Sequence, residues 1–164
     1  MSDSLSLFVQ LKITGRQVKD VGLDNPIKNI NQVWEQSFTP GTGAGQVADL
    51  YEKERTLADG VSENLDLAGI LTDDFGVTKT FAKIKVLAIR NKSTTQVLSV
   101  GGAATLGFVG WVGDPTDVIK IEPGEFKLLI CNLVGVTVTP GTGDLLKVAN
   151  SAGAPCTYDI VAAN

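Results

Sequence analysis

The sequence predicts an all-β fold, an antiparallel β-sandwich with an N-terminal extension of one or two strands. Val, Ile and Thr make up 43 of the 164 residues, and these side chains favour pleated strands over helices. Gly and Pro add another 24 residues, which punctuate the chain with turn signals. Roughly a dozen short β-type runs in close succession are typical of a sandwich or barrel, because a parallel sheet needs long crossover connections.

Each strand is inferred from a β-type run closed by turn residues. We expect residues 1–44 to form the extension, with strands at 4–14 and 29–38, and residues 45–164 to form the sandwich, the whole chain making one continuous domain. The run 46–57 nearly fits helical spacing, but it lacks an N-cap and is assigned as a strand. The remaining strands are expected at 64–67, 81–91, 96–100, 106–111, 117–121, 126–131, 136–139, 145–150 and 156–162.

Three Pro-Gly pairs predict tight turns. They are Pro40-Gly41, Pro123-Gly124 and Pro140-Gly141. Proline presets φ at the first central position of a type II turn and glycine supplies the positive φ at the second, so we expect a type II turn at each pair. The middle turn would join two antiparallel strands, and in the second of them we expect Phe126, Leu128 and Ile130 to line the buried face.

Composition excludes several classes of function. The chain has no histidine, which removes the usual general base and metal ligand, so we expect no enzyme, no metal and no cofactor. A net charge of −4 at pH 7 argues against nucleic acid. We find no basic leader and no apolar run long enough for a membrane span, so we expect no membrane partner and no secretion. Cys131 and Cys156 are expected to be free buried thiols, although a disulfide between them stays open.

Eight acidic residues fall between positions 49 and 74, with only Lys53 and Arg55 among them. Three interpretations stay open at this point. The favoured one is a solvated face, and the others are a calcium site and a surface for a basic partner. Paired carboxylates can also catalyse glycoside hydrolysis, but a chain of this size leaves little room for a sugar cleft.

Two short segments are candidates for a binding interface. Phe108 and Trp111 lie in a Gly-rich run and either cap the core at a sheet edge or contact a partner. Leu5, Leu7 and Val9 share one face of a strand whose other face holds Ser6, Phe8 and Gln10. Such a strand can add to the edge of this chain's own sandwich, of a neighbouring subunit or of another partner protein. By contrast, Trp34 alternates with polar neighbours and is expected in the core.

A series of strand and turn signatures runs through residues 45–162, namely Ala48–Leu50, Arg55–Ala58, Leu65–Gly69, Phe81–Asn91, Val100–Ala104, Ile119–Gly124, Gly141–Asn150 and Tyr158–Val161. In these signatures the chain resembles a widespread family of small virion proteins of tailed bacteriophages. Members are similar to jelly-roll capsid decoration proteins, also called cement proteins. The resemblance therefore implies a jelly-roll sandwich, and it carries over no catalytic residue.

On this resemblance we expect a structural virion protein on the capsid exterior, assembled in the cytoplasm of a bacterial host. Its partners would be the major capsid protein and further copies of itself, as a homotrimer or alternatively a dimer. Binding across capsid subunits would oppose their separation without any chemistry. The alternative function is a tail, fibre or receptor-binding module that grips host glycan.

Overall fold

The structure is a computed structural model that describes residues 4–22 and 25–164. Within these residues the regular structure is all β, and the strands are antiparallel except where β2 meets β3. In chain order the strands are β1 Leu7–Val18, β2 Ile27–Pro40, β3 Gln46–Val47, β4 Leu50–Leu57, β5 Ser62–Asp66, β6 Leu71–Thr72, β7 Thr78–Lys79, β8 Lys83–Ile84, β9 Val86–Asn91, β10 Leu98–Gly101, β11 Val118–Ile121, β12 Phe126–Ile130, β13 Val136–Thr137, β14 Leu145–Asn150 and β15 Cys156–Ala163.

Two four-stranded sheets form the body of the molecule. The front sheet has the order β12-β9-β15-β4, and the back sheet has the order β11-β10-β14-β5. The chain passes directly from one sheet to the other between β4 and β5, β9 and β10, β11 and β12, and β14 and β15, and it crosses twice more through short strands, from β5 to β9 and from β12 to β14. Three smaller pairings complete the fold, namely the hairpin β1-β2 with β3 at its end, β8-β13 and β6-β7.

The main hydrophobic core lies between the two sheets. Its fully buried members come from both, with Tyr51, Ile89, Tyr158 and Ile160 from the front sheet and Leu65, Leu98, Ile121 and Val148 from the back sheet. Burying each large apolar side chain stabilises the fold by roughly 1.5–3 kcal/mol. The fold expected from the sequence, all β and sandwich-like, is confirmed at this level.

A polar group of four side chains ties the two sheets together at one edge. Glu63 of β5 accepts a hydrogen bond from the Tyr158 hydroxyl at 2.7 Å and from Arg55 Nε at 2.9 Å. Arg55 Nη1 also donates to the Tyr51 hydroxyl at 3.2 Å. Burial alone would raise the pKa of Glu63, but the hydrogen bonds from Arg55 and Tyr158 and the charge of Arg55 outweigh it and lower that pKa.

Asn91 links β9 to the opposite end of the sandwich. Its side chain is fully buried, and Nδ2 donates to the carbonyl oxygens of Gln96 at 2.7 Å and Ile121 at 3.0 Å. Its Oδ1 lies 3.3 Å from Cys156 Sγ. Both Cys131 and Cys156 are free thiols, as expected, but only Cys156 is buried, and Cys131 is half-buried. Burial raises the pKa of Cys156.

The strand assignments need four corrections. The segment 106–111 is a loop and not a strand, since only Gly107 forms a single bridge to Leu145. The run 46–57 is two strands, interrupted where Ala48 and Asp49 bond to the C-terminal Asn164. The run 81–91 is likewise two strands, and the polar stretch around 58–80 contributes three short strands instead of one.

Two of the three predicted type II turns are confirmed. Gly124 has φ +76°, with Glu125 N bonded to Glu122 O at 3.0 Å, and Gly141 has φ +69° in an equivalent turn. The expected pairing of the strands on either side of the Gly124 turn was wrong, because β11 lies in the back sheet and β12 in the front sheet. The first was wrong: Gly41 has φ +133°, and its N–H bonds to Val47 O. Pro40 ends β2 there, beside β3, so the Pro-Gly pair closes a strand instead of reversing the chain.

The face assignment within β12 was also wrong. Leu129 points into the main core and Lys127 lines the same inner face, whereas Phe126 is 57 % exposed on the outside. Leu128 packs in a second, smaller apolar cluster outside the sandwich. Alternation correctly separated the two faces of the strand, but it does not say which one meets the back sheet.

We predict that Glu63→Gln lowers the free energy of unfolding by about 1–3 kcal/mol near neutral pH, because it weakens a partly buried charge-assisted network. Since the folded-state pKa of Glu63 lies below its unfolded value, the carboxylate stabilises the fold above the unfolded pKa. That stabilisation is lost as the pH falls through the folded pKa.

The measurement is urea unfolding at neutral pH and at about pH 3, below the ordinary pKa of a glutamate side chain. Glu122→Gln is the matched control, because Glu122 is an exposed carboxylate in the turn that follows β11. A Glu63→Gln penalty of equal size at both pH values would contradict the charge-based explanation.

We also predict that Gly124→Ala destabilises the protein by about 1 kcal/mol, because an L side chain pays for left-handed backbone. A Cβ at Gly124 would meet no atom within 4 Å, so crowding contributes nothing. Gly143→Ala is the control, since Gly143 has ordinary φ and its nearest contacts to such a Cβ are 3.8 and 3.9 Å. Thermal unfolding in which the two variants lose equal stability would refute the backbone explanation.

Candidate interaction surface

The N-terminal hairpin packs its base against the outer face of the front sheet. Leu5, Leu7 and Val9 cover a cluster made of Phe38, Val47, Val86 and Ala163. β1 pairs only with β2 and adds to the edge of neither four-stranded sheet. The expected alternation of β1 is therefore confirmed, and within the chain its apolar face covers a sheet face instead of extending a sheet edge.

Lys85 fastens the segment that joins this hairpin to the body. Its side chain is 3 % exposed, and Nζ donates to the carbonyl oxygens of Gly43 at 2.7 Å and Gln46 at 2.5 Å, with Thr42 O at 3.4 Å. Burial, and then the positive charge of Lys83, lower the pKa of Lys85. Nothing in the sequence marked Lys85 out, because a lysine within a β-type run is ordinarily a solvated side chain.

Beyond its base the hairpin projects from the body. We call residues 11–34 the arm, and the seven cross-strand pairs from Lys12↔Val33 to Val18↔Ile27 are exposed on both strands. Seven residues of extended strand span about 24 Å. Trp34 is 59 % exposed, so its expected place in the core was wrong.

The two faces of the arm differ in chemistry. Residues directly opposite each other across antiparallel strands share a face. One face continues the apolar side of the base, and we call its apolar residues the arm stripe: Leu11, Ile13, Ile30 and Trp34. The other face has polar and basic residues over most of its length, and its apolar members are Val33 and, nearest the tip, Val18 and Ile27; the polar ones are Lys12, Thr14, Arg16, Asn29 and Asn31.

The outer face of the front sheet is apolar near the arm and charged further away. Phe126 and Ile130 of β12 are 57 % and 41 % exposed. A groove of about 380 Å³ runs between β12 and the arm, and its apolar lining is Val9, Leu11, Trp34, Leu128 and Ile130. Arg90 of β9 lies directly opposite Phe126 on this face, Asp159 of β15 lies opposite Arg90, and Glu52 and Glu54 of β4 lie at the far edge.

The loop that holds Phe108 and Trp111 closes one end of the sandwich. Phe108 is 5 % exposed, and its ring meets Trp111 edge to face at 5.7 Å between centroids. Trp111 is half-buried against the main core. Gly110 is needed because a Cβ there would lie 1.9 Å from Val136. The two rings therefore cap the core, while their contact with a partner stays a prediction.

A small apolar cavity lies beneath these rings. Its volume is about 30 Å³, and Leu87, Ile89 and Leu146 are among its lining residues. This is about the volume that one water molecule occupies in the liquid. The cavity is thus the size of a packing defect and is too small to hold an organic substrate.

The acidic residues between 49 and 74 have separate local roles. Glu63 faces inward, and Asp73 accepts hydrogen bonds from the backbone N–H groups of Phe75 and Val77. Asp59 accepts one from Gly153 N at 2.6 Å. Across residues 4–22 and 25–164, no three His, Cys, Asp or Glu side chains are grouped to hold a metal ion.

The structure brings Leu5, Leu7 and Val9 together on the front sheet, and it places Phe108 and Trp111 in a separate loop. The sequence analysis missed the continuation of the apolar face along the arm. The signal was present, because Ile13 extends the alternation of β1 and Ile30 and Trp34 are an even number of residues apart on β2.

Taken together, the described residues define an all-β, sandwich-like protein with a projecting hairpin. In the part of the chain that the structure describes, no helix has the length and hydropathy to span a membrane. Comparison of the chain with known protein families, with curated proteins and with solved structures finds no match in any of the three.

We predict that Lys85→Met destabilises the protein by about 1–2 kcal/mol, because it leaves partly buried carbonyl groups without this donor. The segment that Lys85 contacts should also lose local stability. Hydrogen exchange should therefore become faster at the amides of Gly41 and Gly45, which bond to Val47 O and Asn132 O. Lys83→Met is the control, since Lys83 is exposed next to it. Unchanged exchange at Gly41 and Gly45 would show that Lys85 does not hold this segment.

Proposed function

We propose that this protein is a structural virion protein of a tailed bacteriophage, a capsid decoration or cement protein that binds the outer capsid surface. It would clamp neighbouring major capsid subunits and would be assembled in the bacterial cytoplasm, where free thiols persist. The resemblance of residues 45–162 to small phage virion proteins supports this function. The all-β, sandwich-like fold is compatible with it.

The observation that carries the proposal is the order of the sandwich strands. The first strand of the body lies beside the last, β4 with β15, and the second beside the second-to-last, β5 with β14. The inner strands follow the same rule, with β9 beside β12 and β10 beside β11. A chain that folds as one long hairpin and then rolls into two sheets has this order, and we infer a jelly roll from it.

The clamp would act through multiple contacts and not through chemistry. A small oligomer that touches several capsid subunits opposes their separation, since every contact must break before any subunit leaves. We propose a homotrimer, with a dimer as the alternative, because closed symmetric assembly is the usual route for a small chain. The contact to the capsid is assigned to the loop around Trp111, where a half-buried ring lies beside the exposed Leu106.

The test uses capsids of the encoding phage assembled without this protein, to which the purified chain is added. Saturable binding with a copy number that matches one set of equivalent lattice positions is expected, together with a higher temperature of capsid rupture. Binding to intact host cells without binding to capsids would instead support the tail or receptor-binding alternative.

We predict that Trp111→Ala weakens capsid binding by about tenfold or more, because aromatic anchors dominate interface energies. Leu129→Ala is the matched control, since Leu129 is also a partly buried side chain packed on the main core. Both variants lose stability, so binding is compared at a temperature where circular dichroism shows both folded. Equal capsid binding by the two variants would remove Trp111 from the contact.

A further inference from the structure

The arm carries more exposed apolar surface than an isolated hairpin can support. A two-stranded hairpin without a third strand or a covering layer is marginally stable in water. Both long edges of the arm also lack a neighbouring strand among the described residues, and unpaired edges with apolar faces are typical of association surfaces. The arm therefore requires a cover from outside its own chain.

The arm stripe is continuous with an interface that the chain already makes. On the same face of the same two strands, Leu7 and Val9 lie against the front sheet, and beyond them Ile13 and Ile30 are 44 % and 39 % exposed. The front sheet for its part stays uncovered at Phe126. The base of the hairpin covers only part of the apolar outer face of the front sheet. The rest of that face is uncovered, and so is the arm stripe.

The distribution of charge along the chain indicates which molecule covers the arm. The arm contains four basic residues, Lys12, Arg16, Lys19 and Lys28, against two acidic ones, Asp20 and Asp24. The rest of the chain contains ten basic and sixteen acidic residues, so a net charge of +2 on the arm faces −6 elsewhere. On the outer face of the front sheet the carboxylates outnumber the basic side chains by three to two, namely Glu52, Glu54 and Asp159 against Arg90 and Lys92. A basic arm is therefore steered toward this face of a second copy, and docking of the arm on a basic partner is disfavoured.

The positions of the charges match the positions of the apolar residues. On the arm, Lys28 shares the face of the stripe and lies nearer the tip than Ile30. On the front sheet, Glu52 shares the outer face with Leu128 and Phe126 and lies on the opposite edge strand. Glu52 is exposed.

We propose that the arm of one copy docks on the outer face of the front sheet of a second copy. The arm stripe covers Phe126 and the groove beside Ile130, and Lys28 approaches Glu52. Such a contact joins two different surfaces, so it closes into a ring of copies when the rotation between them permits. This contact between copies does not involve a capsid. Its test is therefore independent of the test of the proposed virion function, and either proposal can be overturned without the other.

The first test compares two substitutions on opposite faces of the arm by sedimentation velocity over a range of concentrations. The wild-type chain is expected to be a reversible oligomer. Ile30→Asp, on the stripe, should raise the dissociation constant at least about tenfold. Val33→Asp is the matched control at 41 % exposure, against 39 % for Ile30, and it should leave association nearly unchanged.

The second test exchanges charges. Lys28→Glu and Glu52→Lys should each weaken association, and the double variant should recover most of the loss, with a smaller difference at high salt. Both residues are exposed, so the single variants are expected to fold. Additive losses in the double variant would overturn the assigned pairing of these two surfaces.

A fluorescence readout follows the contact directly. Trp111→Phe leaves Trp34 as the remaining tryptophan of the two in the chain. Its emission should shift to shorter wavelength as concentration rises, because docking removes the ring from water. A wild-type chain that stays monomeric, with Trp34 emission independent of concentration, would overturn the proposal.

A shortened arm gives a further check. In this variant residues 13–32 are removed, and an Asn-Gly turn joins Lys12 to Val33. Association as strong as that of the wild type would also overturn the proposal.

Discussion

The front sheet is apolar on both faces, and this constraint shapes the rest of the molecule. Its inner face, with Ile89 and Ile160, belongs to the main core, while Val86 and Ala163 point the other way. Side chains alternate along a strand, so a sheet of this kind needs a cover on each side. The back sheet covers one side and the base of the hairpin covers part of the other. The back sheet exposes polar side chains such as Lys120 and needs a single cover.

Polar side chains set how these layers meet. Glu63 joins the two sheets at the edge formed by β4 and β5, and Asn91 holds the end near β11. Lys85 fastens the segment behind the hairpin with backbone carbonyl groups as its partners. Each group is buried or half-buried and bonds to residues far along the chain, so a shift of one layer would leave it unpaired at a cost of about 1–3 kcal/mol. The apolar core supplies the bulk of the stability, and these bonds restrict it to one arrangement.

The candidate surface was only partly predictable. Alternation in β1 identified Leu5, Leu7 and Val9 as one face, and they do form one. The same rule failed for Trp34, which is exposed, and for Phe126, which points away from the core. In both cases the pattern separated the two faces of the strand correctly. The position of another layer decides which of these faces is covered, and residues distant in sequence contribute that layer. The strand expected at 106–111 was wrong for a different reason. Glycines separate the β-type residues of this segment, and the backbone at Gly110 passes close to Val136, so the segment forms a loop.

By itself the sequence determined the all-β class, the approximate positions of most strands and two of the tight turns, since these depend on local periodicity and on the φ preferences of Pro and Gly. It also determined which side chains share a face within each strand. The tertiary structure decided the order of strands in the two sheets, the buried roles of Glu63 and Lys85, and the projection of the arm from the body. These features depend on contacts between residues up to a hundred positions apart, such as Glu63 with Tyr158, which no local pattern encodes.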